Sequence, residues 1–321
     1  MTAIRQFDGL GAVDLPATQP LHLAVGMFDG LHRGHQAVIQ AARDGASREG
    51  GTAAVLTFWP HPSVLLRPAN ATRMIMDPAA KARVLAGLGV TAVITEAFTP
   101  EFAGLAAEEF VPRLKRALPG LAAIYVGENW RFGRGRLGDL NLLKAEGQCH
   151  RVAVTGVARV RAGDEPISST RIRGAIEAGD MGSANALLGY AHFATGRVVE
   201  GRGLGRKLGF PTLNLDWAPE LEPRHGVYVV AVRGAKTTRA IPGVANYGVR
   251  PTVESAGRAQ LEVHLLGECP FTTGDKLTVD LLHFLRAEQK FSGVEALRTQ
   301  IAADRLAAEQ WHAVNGRKNT A

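Results

Sequence analysis

Two histidines three residues apart, His32 and His35, lie in a glycine-rich segment, Gly26–His35 (GMFDGLHRGH), directly behind the apolar run Leu21–Val25. That order predicts strand, turn and helix, with both imidazoles at the helix start. A helix N-terminus offers unpaired N–H groups and the positive end of its dipole, so it favours a phosphate. Imidazoles held there can donate to phosphoryl oxygens as negative charge builds up in a transition state. Gly34 lets the backbone come close to a nucleotide. Metal binding is the competing use of this spacing, but no third His or carboxylate stands at helical distance; simple helix capping is the plainer alternative. A second cluster, Ile167–Arg173 (ISSTRIR), carries Ser168, Ser169 and Thr170 with Arg171 and Arg173 at another helix start. Hydroxyls there cap the helix or meet phosphate, and guanidiniums supply fixed positive charge.

Between these clusters, Thr57–Pro62 (TFWPHP) and Gly127–Asp139 (GENWRFGRGRLGD) each follow a strand-like run. Phe58, Trp130 and Phe132 are able to stack on a planar ring and Asn129 to bond its edge, although each aromatic is as well suited to the core. Gly133–Gly138 matches GxGxxG but does not join the first strand to a helix, so it is read as a chance match; no Walker A pattern occurs. Further on, Gly201–Asn214 (GRGLGRKLGFPTLN) reads as a flexible basic loop for phosphates, with Arg202, Arg206 and Lys207 among its glycines. Thr212 and Asn214 are oxygen donors of the kind Mg²⁺ accepts beside a nucleotide. Leu261–Leu266 (LEVHLL) alternates, so Glu262 and His264 share one strand face and Val263 and Leu265 the other. If the first face lines a cavity, Glu262 suits a general base for a hydroxyl nucleophile; the alternative is a solvated polar face.

The elements that must position these residues follow from periodicity. Strands are expected over Leu21–Val25, Thr52–Phe58, Val90–Thr95, Ala122–Gly127 and His150–Val154, alternating with helices over Gly34–Ser47, Pro78–Leu88, Glu108–Leu118 and Asp139–Glu146. Such alternation predicts βαβ units and a parallel, Rossmann-like sheet. Two short helices, Thr170–Ala178 and Gly182–Leu188, then give way to strand-like runs at Gly226–Val232, Arg239–Val244, Leu261–Leu266 and Lys276–Phe284. These predict an antiparallel barrel or sandwich. A terminal helix, Val294–Val314, is expected to bury Val294, Leu297, Ile301 and Leu306 on one face. The expected division is residues 1–187 and 188–321.

Composition sets the limits. A chain of 321 residues, 46% hydrophobic and 21% charged, is long enough for two cores and is not a low-complexity protein. Its two cysteines, Cys149 and Cys269, form no metal-ligand spacing or disulfide framework, which fits a reducing cytoplasm. No apolar run approaches a membrane span and no signal-peptide core is present. The net charge of +7 suits anionic ligands, or only an Arg-rich background. No helix-turn-helix, zinc-finger or RNP pattern occurs, so no nucleic-acid partner is expected, nor a membrane one.

Taken in order, these motifs resemble those of the bacterial bifunctional riboflavin kinase/FAD synthetases. GMFDGLHRGH and ISSTRIR are similar to the two signatures of the adenylyltransferase module, and GRKLGFPTLN, LEVHLL and FLRAEQKF (Phe284–Phe291) to those of the kinase module. The resemblance implies an α/β nucleotidyltransferase domain followed by an antiparallel β-barrel kinase domain with a terminal helix. It implies that riboflavin is phosphorylated to FMN and FMN adenylylated to FAD, with ATP as co-substrate and Mg²⁺ as cofactor. By the same resemblance Gly26, Phe28, Asp29, Gly34, His32, His35, Ser168, Ser169, Thr170 and Arg171 would serve the ATP phosphates of the first module. Asn129, Phe132 and Phe58 would contact flavin or adenine. In the second module Gly203, Arg206, Lys207 and Gly209 would hold phosphate, Thr212 and Asn214 would meet Mg–ATP, and Glu262 would be the base. Leu213 stands where the family usually has Ala, and the segment GECPFTTGDKL lacks the family's usual Leu-Tyr-Gly. Another nucleotidyl transferase and a non-enzymatic flavin-responsive regulator are the rival readings; a monomer or weak homo-oligomer is expected.

Overall fold

In the computed structural model, which describes residues 4–201, 203–249 and 259–315, the chain divides into two units, Met1–Ser169 and Thr170–Ala321. The first is built on six parallel strands: β1 (Arg5–Asp8), β2 (Leu21–Val25), β3 (Thr52–Trp59), β4 (Ala92–Ala97), β5 (Leu121–Gly127) and β6 (Ala153–Val157). Their order is β1-β4-β3-β2-β5-β6. All five residues of β2 and six of eight in β3 are buried, as expected of a parallel sheet covered on both faces. From β2 the chain winds outward through β3 and β4, then returns to place β5 and β6 on the other side. The strand order reverses between β2 and β5, the position at whose carboxyl ends doubly wound sheets bind ligands.

The helices of this unit are α1 (Arg33–Arg48), α2 (Pro62–Leu66), α3 (Pro78–Gly87), α4 (Pro100–Ala103), α5 (Phe110–Ala117) and α6 (Leu140–Cys149). α1 buries Val38, Ile39, Ala42, Gly45 and Ala46 against the sheet. At Gly45 a Cβ would stand 2.0 Å from the Tyr125 hydroxyl and 2.6 Å from His22 Nδ1, so glycine lets α1 lie close on β2 and β5. α3 starts as its sequence predicts: Asp77 caps the Ala80 amide at 2.7 Å and Pro78 occupies the first turn. A short hairpin, β7 (Arg161–Ala162) and β8 (Glu165–Pro166), precedes the junction.

α7 (Ser169–Ala178) starts at the junction and α8 (Met181–Leu188) follows, capped by Asp180 and closed by Gly189 in the left-handed region. The second unit is a closed antiparallel barrel of β9 (Phe193–Val199), β10 (Leu213–Asp216), β11 (Gly226–Gly234), β12 (Ile241–Val249), β13 (Ala259–Leu265) and β14 (Lys276–Ala287). Its order is β10-β13-β12-β11-β14-β9, with β10 pairing back to β9. The basic glycine-rich segment expected to be a flexible loop instead winds one helical turn, α9 (Leu204–Lys207), between β9 and β10. α8 goes with the barrel, because Asn185 donates to Leu281 O at 2.9 Å and accepts from the His192 amide at 2.7 Å.

The terminal helix α10 (Val294–Asn315) covers the outer face of the barrel, where Ala308 and Trp311 pack on Val227, Val229 and Val244. Its buried face is not the expected one, since Val294 and Leu306 are 59% and 54% exposed. At 3.6 residues per turn Leu306 points roughly 140° away from Ile301, whereas Asp304 and Ala308 continue the inward stripe. Asp304 sits there as an anchor: Arg286 Nε and Nη2 donate to its two oxygens at 2.8 and 2.6 Å, and Gln300 adds a bond at 2.9 Å. Removing one member of such a shielded, two-bonded pair strands the other. Asp304→Ala is therefore expected to destabilise the barrel unit by about 3 kcal/mol in urea unfolding. Arg286→Met combined with Asp304→Leu should recover most of that loss; if the single variant unfolds at the wild-type midpoint, the anchor is idle.

Candidate active sites

The residues between β2 and α1 form a turn in which Phe28, Gly30 and Leu31 all have positive φ, at 48°, 78° and 41°. For Phe and Leu this conformation is unfavourable and persists only where neighbours over-determine it. Here they do. Met27 O accepts from Lys81 Nζ at 2.8 Å and from Thr57 Oγ1 at 2.9 Å, and Lys81 also donates to Thr57 Oγ1 at 2.9 Å. Asp29, 2% exposed, accepts the Ile75 amide on its side chain at 3.0 Å, while its carbonyl accepts the Ser169 hydroxyl at 2.9 Å. The last bond joins the two phosphate-type motifs, 140 residues apart in sequence, at the carboxyl end of β2.

His32 caps α1: its Nδ1 accepts the His35 amide at 3.2 Å, which leaves the neutral ring's proton on Nε2 as a donor. The two imidazoles stack, with centroids 3.6 Å apart and planes 16° from parallel. At Gly34 a Cβ would lie 3.1 Å from the His32 ring, so a larger residue would push the pair. Phe28 meets His35 edge-on at 5.3 Å, and Gly26 leaves room for the Phe28 ring. Burial pushes His32 down to about 4. Burial, then the neighbouring His32 and the Lys81 charge, hold His35 well below the ordinary imidazole range. His35 Nδ1 is sealed in without a hydrogen-bond partner. The turn thus presents two imidazoles held in the neutral form at a helix N-terminus, an arrangement able to donate hydrogen bonds to an anion.

Lys81 was not among the residues expected from sequence, where it is one lysine of a predicted helix. In the fold it is 3% exposed beneath the turn, and burial, eased by Asp29, lowers its ammonium to about 8. Of the expected flavin contacts, Asn129 is exposed just past β5. Phe58 packs with Phe98 and Phe102, and Phe132 with Phe110 and Trp130, each 6% exposed in the core. Gly133–Gly138 closes as a loop through the Phe132–Gly138 bridge. Ser168 is half-buried and Thr170 exposed; Arg171 is half-buried.

In the barrel, strand register aligns a polar row. Asn214 on β10 is opposite Glu262 on β13, which is opposite Asn246 on β12. Cross-strand partners share a face. This is the outer face, because Asn246 also pairs with Val227, part of the strip that α10 covers. Leu261 and Val263 fill the opposite, inner pleat and are buried. Asn214 is buried, and a Cβ at Gly201 would overlap its amide at 2.0 Å. Gly205 plays the same part for Thr212, whose Oγ1 would be 3.1 Å from an added Cβ. His264, on the same face as Glu262, donates from Nδ1 to Pro211 O at 2.9 Å and so fixes the backbone just before Thr212. Leu213 pairs with Val263 on the inner pleat, which keeps its extra bulk away from Thr212 and Asn214.

Asn246 was missed from sequence; an Asn at mid-strand in VANYGV was the available signal. Its amide bonds Glu288 at 3.4 Å, just beyond β14. Gly203 and Gly209 flank α9 with φ of 68° and 87°, and Arg206 is exposed. Arg202 and the Lys207 side chain lie outside the described residues. The GECPFTTGDKL segment is closed by Asp275, which accepts from Lys236 and the Thr272 amide at 2.7 and 2.8 Å, and it buries Phe271. Among the described residues no cluster of three His, Cys, Asp or Glu side chains is placed to hold a metal, and no helix is long and apolar enough to cross a membrane.

Comparison with known proteins divides the chain in the same sense. Residues 15–171 match the FAD synthetase family model and residues 188–312 the riboflavin kinase model. A bifunctional riboflavin kinase/FMN adenylyltransferase of Escherichia coli is 37% identical over 289 residues, 90% of this chain and 92% of the relative. The Pseudomonas fluorescens protein of the same name is 39% identical over 284 residues, covering 88% and 90%, and that of Bacillus subtilis 32% identical over 290, covering 89% and 90%. A crystal structure of a macrolide-efflux protein from Streptococcus pneumoniae has the same architecture, with a TM-score of 0.85 at 29% identity, covering 96% of this chain and 99% of that one. With both family models matched in order and relatives above 30% identity along nine-tenths of its length, the chain belongs to the bifunctional riboflavin kinase/FMN adenylyltransferases.

Proposed function

We propose that the β2–α1 turn and the start of α7 form the FMN adenylyltransferase site, and that the outer polar row of the barrel forms the riboflavin kinase site. The observation that carries the first assignment is the Ser169–Asp29 bond, which brings the serine-rich motif onto the histidine motif at the switch point of the sheet. The register Asn214–Glu262–Asn246 carries the second. Function divides near residue 187, so that 1–187 serves adenylyl transfer and 188–321 phosphorylation. Both reactions belong to the cytoplasm, in a monomer or weak homo-oligomer, with small molecules rather than nucleic acid or membrane as partners.

In the barrel the riboflavin 5′-hydroxyl attacks the γ-phosphorus of ATP, the bond to the bridging oxygen breaks, and FMN and ADP form. A ribityl hydroxyl is a weak nucleophile, and Glu262 takes its proton. Gly203, Arg206, Lys207 and Gly209 hold phosphate. Thr212 and Asn214 supply neutral oxygens suited to Mg²⁺, and Gly201 and Gly205 leave the room those side chains need. When bound there, Mg²⁺ neutralises polyphosphate charge.

In the first unit the FMN phosphate, already anionic, attacks the α-phosphorus of ATP and pyrophosphate departs. No carboxylate base is required. His32 and His35 donate to the polyphosphate as its charge shifts, and Gly26, Phe28, Asp29 and Gly34 shape the turn around it. Ser169 reaches the turn through the Asp29 carbonyl, and Ser168, Thr170 and Arg171 of the same motif are assigned to the ATP phosphates with it. Asn129 contacts the flavin or adenine edge, while Phe58 and Phe132, with their faces packed in the core, contribute the wall beneath it.

Three outcomes test this reading in the intact chain. Glu262→Gln should lower FMN formation on the order of 10²–10⁴-fold while supplied FMN is still converted to FAD at nearly the wild-type rate. Wild-type phosphorylation by this variant would place the base elsewhere. Conversely, His32→Ala or His35→Ala should cost about 2–4 kcal/mol in adenylyl transfer, roughly 10²–10³ in rate, and spare the kinase. Equal loss of both activities would make the histidines structural. Third, because His32 titrates near 4 in the fold and near 6.5 when unfolded, the unfolded chain takes up the extra proton between those values. The stability this contributes is complete above about pH 6.5 and lost toward pH 4, about 3 kcal/mol from His32. The urea midpoint reported by Trp59 and Trp130 should fall across that window, and fall less in His32→Gln.

A further inference from the structure

A buried lysine under the histidine turn has no place in the assignments above. Lys81 lies on the first turn of α3, where Pro78 and the Asp77 cap set the helix start and aim the residue at the sheet. Its side chain ends where β2 and β3 finish, with Nζ 2.8 Å from Met27 O and 2.9 Å from Thr57 Oγ1. The Thr57 hydroxyl itself donates to Met27 O at 2.9 Å, so one carbonyl holds two donors and the three groups form a closed triangle. Burying an ammonium for a structural bond alone is costly, since a neutral donor would bridge two oxygens without the desolvation. The carbonyl it grips directly precedes Phe28, the first of the positive-φ residues, and the turn ends at the His32 cap. A fixed cation there also offsets negative charge as it develops over the turn in the transition state.

We propose that Lys81 is a positioning residue for adenylyl transfer: its ammonium, locked onto Met27 O and the Thr57 hydroxyl, holds the β2–α1 turn in the form that presents His32 and His35. It also sets a positive charge beneath them. The proposal rests on the assignment of adenylyl transfer to this turn. The groups acting electrostatically on His35 are His32, from the α1 cap, and Lys81, from α3; Asp29, in the turn, acts on Lys81.

The test uses the full chain with supplied FMN and Mg–ATP. Lys81→Met keeps the length and apolar stem and removes the charge. Its kcat for FAD formation should fall at least about 10²-fold with the KM for ATP changed less than about threefold, because orientation rather than uniform binding is lost. Riboflavin phosphorylation by the same chain should be unchanged. In the ligand-free protein the His35 imidazole, followed by NMR, should titrate at higher pH than in the wild type, since a neighbouring cation has gone.

A folded Lys81→Met variant with FAD formation within about threefold of wild type, or with His35 titrating as before, overturns the proposal. Should that variant fail to fold, Thr57→Val decides, since it keeps the ammonium and removes one tether. A loss of about threefold to tenfold in kcat supports the proposal, and a wild-type kcat overturns it. His35→Ala is run beside them. If it too forms FAD at the wild-type rate, the assignment of the site falls and the proposal with it; if only the Lys81 variant does, the proposal alone falls.

Discussion

The first unit depends on keeping one unfavourable turn in place. Phe28 and Leu31 sit at positive φ between β2 and α1, each at a cost of order 1–3 kcal/mol. The turn holds because its carbonyls and its one carboxylate are claimed from three directions: β3 and α3 at Met27, the Ile75 amide at the Asp29 side chain, and Ser169 at the Asp29 carbonyl. The turn places His32 at the cap of α1, where its ring stacks on His35 and burial favours the neutral form of both. Such pre-organisation means that donors need not reorient when charge develops.

The two proposed sites differ in the groups they offer, and the chemistry of the two reactions accounts for the difference. An FMN phosphate needs no base, and the site proposed for it offers histidines, hydroxyls and the N-terminus of α1. A ribityl hydroxyl does need one, and a carboxylate, Glu262, lies in the middle of the barrel's outer row between two asparagines. That row borders the strip sealed by α10, whose seating relies on the Arg286–Asp304 pair at 2.6 Å. The barrel core lies on the opposite pleat, so the polar row is carried by strands whose register is set by apolar packing.

Much of this was legible in the residue pattern. Apolar runs with helical stretches between them located β2 through β6 and α1, α3, α5 and α6, and the Asp77-Pro78 signal marked the start of α3. Period-two alternation placed Glu262 and His264 together on β13. Elements held only by distant partners were not legible. β1 buries a single side chain, Phe7, and exists because it pairs with β4. β9 was not expected either: Gly196 weakens its pattern, and the fold needs a glycine there because a Cβ would stand 2.2 Å from Asp216 O on the neighbouring strand.

The sequence by itself therefore determined the fold class of each half and the order of the motifs, because these follow from residue type and local periodicity, and the resemblance those motifs carry pointed to the chemistry. Only the tertiary structure decided which motif partners meet. Ser169 and Asp29 are brought within 2.9 Å by the winding of the sheet, and Asn246 joins Glu262 through strand register. It also decided that Phe58 and Phe132 are core, and that Lys81, an unremarkable helix lysine in the one-dimensional pattern, is a buried cation under the histidines. Burial, register and electrostatic environment depend on neighbours remote in the chain, and a local pattern carries no record of them.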